Sequence, residues 1–387
     1  MLTWEYPPRI VGGISRHCMG LSRALARAGV DVHVITLEFP GAKGYEEVDG
    51  VKVYRVRVEI GNPNFLTWVF IFNHFMEKQV GMLLQSGCSF DIIHVHDWLT
   101  TPAGIALKHI MDRRLVLTMH STEIGRSTTL DNPDAYTKDS IEWWGTYEAS
   151  AVIAVSSSLR WEIINHFKVP EWKVYALPNG IDLDRFKVNV DRNSVRMRWG
   201  IPLDAPLIVA LGRLTSQKGF QHLIPAFAKI LHKYPNARLI IIGDGWMRGE
   251  LESIAWSLGV RDKVIFTGFI GDREVVEILK SGDVMVIPSV YEPFGITALE
   301  GMAAGIPVVV SSVGGLREIV EHEKDGVWVY PANPDSIAWG IDRVLSDPGF
   351  ANYIRRNAFN KVASKYSWDS IARETIKIYR RVLGEGV

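Results

Sequence analysis

Short apolar runs with strand character alternate with helix-periodic stretches along the whole chain, and the alternation restarts near the middle. In the first half the runs are residues 32–37, 51–58, 91–95, 115–119, 151–155 and 174–177. In the second half they are residues 207–211, 238–242, 264–267, 284–287, 308–310 and 327–330. Ile240-Ile241-Ile242 and Val308-Val309-Val310 lack in–out alternation. Strands covered on both faces read this way, and parallel sheets contain them. Between strands the period changes: Ile14, Cys18, Leu21, Leu25 and Ala28 recur at helical spacing until Gly29. Asp49-Gly50 reads as a tight turn before the alternating Val51-Lys52-Val53-Tyr54. Alternating β and α segments imply parallel sheets with right-handed crossovers. The pattern predicts an α/β chain of two doubly wound parallel-sheet domains, each with its ligands at the carboxyl ends of the strands.

A chain of 387 residues has material for two cores. The boundary is expected between Pro178 and Pro206, where the sequence is polar and Asp191-Arg192-Asn193 shows no apolar period. This gives a first domain of residues 1–185 and a second of residues 186–368. Beyond about Pro334 the pattern is purely helical, and the last helix, residues 369–383, is expected to cross back over the first domain.

Lys plus Arg and Asp plus Glu are 43 each, so no global field draws this chain to nucleic acid. Cys18 and Cys88 form no metal or redox spacing. The start has neither a basic nor an apolar leader segment, which with the free thiols suggests a cytoplasmic protein. Residues 65–84 are apolar enough to raise a membrane span, but Asn73, His74, Glu77, Lys78 and Gln79 are costly in hydrocarbon. A half-buried amphipathic helix is the expectation, with membrane-surface docking as the minority alternative.

Several strand ends carry chemistry. Gly12-Gly13 open the first helix, where backbone N–H groups attract anions. His94 and His96 lie two apart on a strand and share a face, so both could meet one metal ion, but the spacing shows no third ligand cluster. Hydrogen bonding to substrate or structural pairing is the preferred reading of His96-Asp97, and no metal is expected. His120 follows the strand 115–119, where ligands sit in such sheets. In the second half Arg213 and Lys218 follow a strand end beside Gly219, two cations and a helix start suited to a diphosphate. Gly243 ends another strand, and Phe269-Ile270 follow the next and can line a base pocket.

The most specific segment runs from Pro288 to Gly305. Pro293 predicts a helix start, so the N–H groups of Phe294, Gly295, Ile296 and Thr297 should point unpaired at an anion. Glu292 and Glu300, with seven residues between them, then flank one phosphate-binding turn.

At this point the chain resembles a known family. Glu292 to Glu300 looks like the E-x7-E signature of retaining glycosyltransferases of the GT-B fold. Gly212-Arg213-Leu214 with Gln217-Lys218-Gly219 resembles their donor-phosphate motif, and Pro178-Asn179-Gly180-Ile181-Asp182 their interdomain segment. Thr3-Trp4-Glu5-Tyr6-Pro7-Pro8, Gly12-Gly13 and His96-Asp97-Trp98 are similar to glycogen and starch synthases, including archaeal ones. Glu300-Gly301-Met302-Ala303-Ala304-Gly305 looks like the broader family 4. Arg9-Ile10-Val11 departs from the lysine that bacterial glycogen synthases carry, as does Phe294 from their cysteine.

The resemblance implies two Rossmann-like domains facing a central cleft that closes on the donor. Its substrates would be a nucleotide-diphosphate sugar and a carbohydrate acceptor, with no cofactor. It implies that Gly12 and Gly13 approach the donor phosphate or acceptor and that His120 holds the transferred sugar. Arg213 and Lys218 would neutralise the leaving diphosphate, Glu292 contact the sugar and Glu300 the ribose. The favoured activity is glucosyl transfer from ADP- or UDP-glucose to an α-glucan. The alternatives are a family 4 transferase making a surface glycan, glycolipid or small glucoside, and a nucleotide-sugar-binding protein without turnover. Relatives carry several apolar residues before the Thr-Trp-Glu segment, where this chain has only Met1 and Leu2, so the expectation is either a native start upstream of Met1 or a very short first strand.

Overall fold

The computed structural model describes residues 1–61, 64–127 and 129–385. It divides into two compact units, Met1–Gly180 with Trp368–Val387, and Ile181–Ser367. Residues 181–185, assigned above to the first half, therefore sit in the second. Ile181 bridges Ser367, and Arg185 pairs with Glu300. Of the final stretch, residues 386–387 lie outside the described residues.

The first unit holds strands β1 (Val32–Leu37), β2 (Tyr45–Val48), β3 (Val51–Val56), β4 (Ile92–His96), β5 (Arg114–Met119), β6 (Ala151–Ala154) and β7 (Val174–Ala176). They run in the orders β1-β3-β2 and β4-β5-β6-β7. Leu2 joins the two sets with parallel bridges to Ile35 and Val95, so the expected short first strand is a single paired residue. Every pairing is parallel except β2 on β3, which turns back at Asp49-Gly50 with Val48 opposite Val51. No reading of periodicity finds β2, because Tyr45-Glu46-Glu47-Val48 is an exposed edge with little apolar content.

The helix Gly13–Arg27 buries Cys18, Leu21, Ala24 and Leu25. The last helix, Trp368–Leu383, packs Trp368, Ile371 and Ala372 into the same core with Val34 and Val53. Each large aliphatic side chain removed from water there contributes about 1.5–3 kcal/mol. The apolar stretch at 65 is the helix Phe65–Gln85, with Val69, Phe72, Asn73, Met76, Val80 and Leu83 buried. Asn73 is satisfied within the unit: its amide N–H group donates to Val69 O (2.7 Å) and Leu99 O (2.8 Å), and its oxygen accepts from Ala103 N–H (2.8 Å). Among the described residues no helix is long and apolar enough to cross a membrane.

The second unit holds β8 (Leu207–Leu211), β9 (Arg238–Ile242), β10 (Val264–Phe266), β11 (Val284–Ile287), β12 (Val308–Ser311) and β13 (Val327–Val329). The order is β10-β9-β8-β11-β12-β13 and every pairing is parallel. Ile208, Ala210, Leu239, Ile241, Val284 and Val309 meet Phe220, Phe227, Ile337 and Ile341 in one core. The helix Arg192–Arg198 is an element that apolar periodicity missed. It is short, capped by the Asp191 carboxylate accepting from Asn193 N–H, and anchored by buried Arg196 on Ala205 O and Asp283.

In the second unit the strand order reverses between β8 and β11. In the first unit it reverses between Leu2 and β4. Loops leaving the carboxyl ends of such a pair diverge to opposite faces of the sheet and leave a crevice between them, where doubly wound folds bind ligands.

Candidate active site

The second unit's crevice lies between the loop after Leu211 and the loop after Ile287. The two loops touch: Val290 N–H donates to Gln217 O at 2.8 Å. Gly219 makes the approach possible. Its φ is +71°, and a Cβ there would stand 1.9 Å from Pro288 O. This contact brings Lys218 to Glu292, Nζ to Oε2, at 2.7 Å. Ser289 Oγ donates to the same carboxylate oxygen at 3.0 Å, and Glu292 is buried. From the far side the loop after β12 closes on the Glu292 backbone: Gly315 N–H donates to Glu292 O at 3.0 Å. A Cβ on Gly314 would lie 2.1 Å from that oxygen. The sequence reading gave Lys218 to a diphosphate and Glu292 to a sugar as separate groups. Here they form one ion pair.

The helix after Glu292 is Ile296–Ala304, not one beginning at Pro293. Gly295 is its N-cap at φ 113°, a left-handed conformation that ends any helical run reaching it from Pro293. Ala298 N–H and Leu299 N–H return to Gly295 O, leaving Ile296 and Thr297 as the residues whose amides open the helix. Phe294 precedes the helix, its ring buried against Tyr366 with centroids 6.4 Å apart. Glu300 is buried one turn along, and its Oε1 accepts from Arg185 at 3.1 Å. Arg213 is exposed and forms no ion pair among the described residues. Gly243 and Phe269-Ile270 follow β9 and β10, the strands on the far side of β8 from β11, and Phe269 is 75% exposed.

The first unit's crevice lies beside Leu2 and β4. The amides near Gly12-Gly13 already hold an anion of the chain's own. Glu5 Oε2 accepts from Val11 N–H at 2.6 Å and Gly12 N–H at 2.9 Å. Gly12 is the N-cap and Gly13 the first residue of the helix. The buried Glu5 carboxylate thus corrects the picture of free amides awaiting a ligand phosphate.

His96 and His120 end β4 and follow β5, neighbouring strands, and their rings meet with Nδ1 and Nε2 3.3 Å apart. Asp97 is buried with φ 57°, and its Oδ1 accepts from His120 N–H at 2.7 Å. It fixes the His120 backbone, while burial raises its own carboxyl to about 6. His94 is committed elsewhere: Nδ1 pairs with Tyr379 OH (2.6 Å) and Nε2 with Thr118 Oγ1 (2.7 Å). The ring that instead joins His96 and His120 is His17, with centroids 5.2 and 4.5 Å away. Burial lowers the pKa of all four rings, that of His120 to about 3, so they are neutral.

Residues 11–185 match the family described as Glycosyltransferase Family 4, and residues 191–361 match Glycosyl transferases group 1. A glycosyltransferase of Methanocaldococcus jannaschii is 51% identical over 98% of this chain and 97% of its own length. The chain is a group 1/family 4 glycosyltransferase. The glycogen synthase of Mycobacterium tuberculosis is 32% identical to it over 98% of this chain and 93% of that protein. Among solved structures, sucrose-phosphate synthase from Thermosynechococcus elongatus superposes with a TM-score of 0.85 at 25% identity, covering 99% of this chain and 98% of that one. The fold is therefore GT-B, two Rossmann-like domains.

Several residues of this glycosyltransferase escaped the sequence reading. Arg185 and Ser289 flank the two glutamates without belonging to a recognisable spacing. Arg126 bridges Glu123 and Glu142 at 2.8 Å each and also bonds Ser121, ordering the segment that carries His120. His17 lies within an ordinary helical repeat, and no local signal separates it from a plain core residue.

Proposed function

We propose that this glycosyltransferase moves glucose from ADP- or UDP-glucose to a hydroxyl of an α-glucan, with retention and without a metal. The observation that carries the reading is the Lys218–Glu292 pair at the switch point of the second unit, beside the helix start at Ile296. A diphosphate meeting that helix start would find oriented amides and the Lys218 cation, with Arg213 on the same loop. Buried Glu300 with Arg185 is the polar pair available to a ribose.

In the reaction, the bond between the anomeric carbon and the β-phosphate oxygen breaks, and its electrons go to the phosphate. Lys218 and Arg213 stabilise that charge, the task a metal performs elsewhere. The acceptor oxygen bonds to the same face of the sugar, and its proton passes to the leaving phosphate oxygen. His120, neutral and oriented through Asp97, serves the transferred sugar by hydrogen bonding. The similarity to a glycogen synthase supports the glucan acceptor, as does the GT-B likeness to a starch synthase catalytic domain from Arabidopsis thaliana bound to ADP and acarbose (TM-score 0.76).

A second reading, transfer to a lipid-linked or surface glycan, draws on Phe65 and Phe70, both exposed on one helix. A panel of nucleotide sugars, assayed in EDTA for transfer to glucose, maltose and glycogen, tests the first reading. Glucan elongation with retained configuration is expected. Transfer abolished by EDTA and restored by a divalent ion refutes the metal-free mechanism, and transfer confined to liposome-bound acceptors favours the second reading.

A further inference from the structure

Three histidines from three elements of the first unit converge: His17 from the helix Gly13–Arg27, His96 from the end of β4, and His120 just after β5. One ring nitrogen of each lies within 4.8 Å of the other two. We infer that this cluster binds a zinc-type divalent ion, and that the ion inhibits the enzyme rather than serving it as a cofactor.

The geometry fits such an ion. The facing nitrogens of His96 and His120 are 3.3 Å apart. Two nitrogens on a tetrahedral zinc at about 2.0–2.1 Å each are separated by about 3.3 Å. His17 Nδ1 lies 2.5 Å from Asn179 Oδ1. An amide oxygen only accepts, so Nδ1 carries the proton and Nε2 presents its lone pair. That Nε2 is buried without a hydrogen-bond partner among the described residues. A buried polar atom without a partner is a cost that native folds seldom carry unless a ligand meets it. An oxygen on the far ring nitrogen is also the usual companion of a metal-bound histidine, fixing tautomer and orientation. Asn179 is that companion for His17. Three imidazoles leave a fourth tetrahedral position for water.

This arrangement replaces the His94–His96 pair that strand spacing suggested. His94 has both ring nitrogens engaged, and the third ligand comes from a helix far away in sequence. Inhibition rests on the reading given above: a metal on His120 takes the ring that the transferred sugar needs.

The test uses the full-length enzyme freed of metal with chelator. Zn²⁺ is titrated by calorimetry, and Co²⁺ by its visible spectrum, which reports tetrahedral coordination. One ion per chain is expected in the tight class. His17→Ala should weaken binding at least 100-fold, Asn179→Ala on the order of 10–100-fold, and the exposed His232→Ala not at all. If His17→Ala fails to fold, His17→Cys keeps a ligand and must add a thiolate-to-cobalt charge-transfer band. Transfer by the wild-type enzyme should fall as Zn²⁺ fills the site. His17→Ala, compared with its own chelated rate, should resist. No stoichiometric binding of Zn²⁺ or Co²⁺, or binding indifferent to His17, overturns the site. Stoichiometric binding without loss of transfer overturns the inhibitory role. Binding by a protein that uses no nucleotide sugar leaves the site standing and refutes the proposed reaction instead.

Discussion

Lys218→Met keeps most of the side-chain volume and removes only the charge, so it isolates what the ion pair with Glu292 does. Lys218 and Glu292 side chains are 22% and 8% exposed, and the pair is 2.7 Å long. A buried carboxylate stripped of its cation loses about 3–5 kcal/mol when nothing replaces the partner. Ser289 still donates to Glu292, and water reaches the lysine side, so the loss should be about 2–3 kcal/mol. For a unit of this size that lowers its melting temperature by about 4–12 °C. Adding Glu292→Gln removes the stranded charge. The double variant should therefore return to within about 1 kcal/mol of the wild type, a coupling visible as non-additivity. Activity should behave differently. Lys218→Met should lose on the order of 2–4 kcal/mol of transition-state stabilisation, and the double variant should not regain it. Calorimetry of the four proteins, with initial rates on the preferred donor, makes the comparison. Additive stabilities, or a Lys218→Met enzyme that melts and turns over like the wild type, would refute the reasoning.

The remaining predictions concern the backbone and the histidines. Gly219→Ala places a Cβ against Pro288 O at a left-handed φ, so it should cost more than about 2 kcal/mol and displace Lys218. A melting temperature within a degree of wild type would show that the two loops are not in register as described. The buried rings of His17, His94, His96 and His120 have folded pKa values below the unfolded value near 6.5. The unfolded chain therefore takes up the protons, and the rings' contribution is present in full above that pH and is lost as the pH falls toward 3. In chelator at pH 5 each ring should cost up to about 2 kcal/mol of stability. Urea unfolding that is flat between pH 7 and pH 5 would contradict the neutral buried cluster.

By itself the sequence determined the architecture. Four strands predicted at 32–37, 207–211, 238–242 and 284–287 occur with those bounds, because burial on both faces leaves an unbroken apolar run in the chain itself. The Glu292–Glu300 spacing and the loops bearing Arg213 and Lys218 were legible for another reason: each is a short, contiguous stretch of sequence. Where the signal was weak, as in the polar edge β2 or the short helix Arg192–Arg198 anchored by a buried arginine, the pattern was silent. Tertiary structure alone decided which groups meet. Lys218 reaches Glu292 across 74 positions and His17 reaches Asn179 across 162, because strand order, not sequence order, sets adjacency in a doubly wound sheet. It also decided occupancy and direction. Glu5 fills the amides at Gly12, and the left-handed Gly295 moves the helix start to Ile296. Neither is encoded in a period, since both follow from backbone conformations and contacts that exist only after the loops have packed.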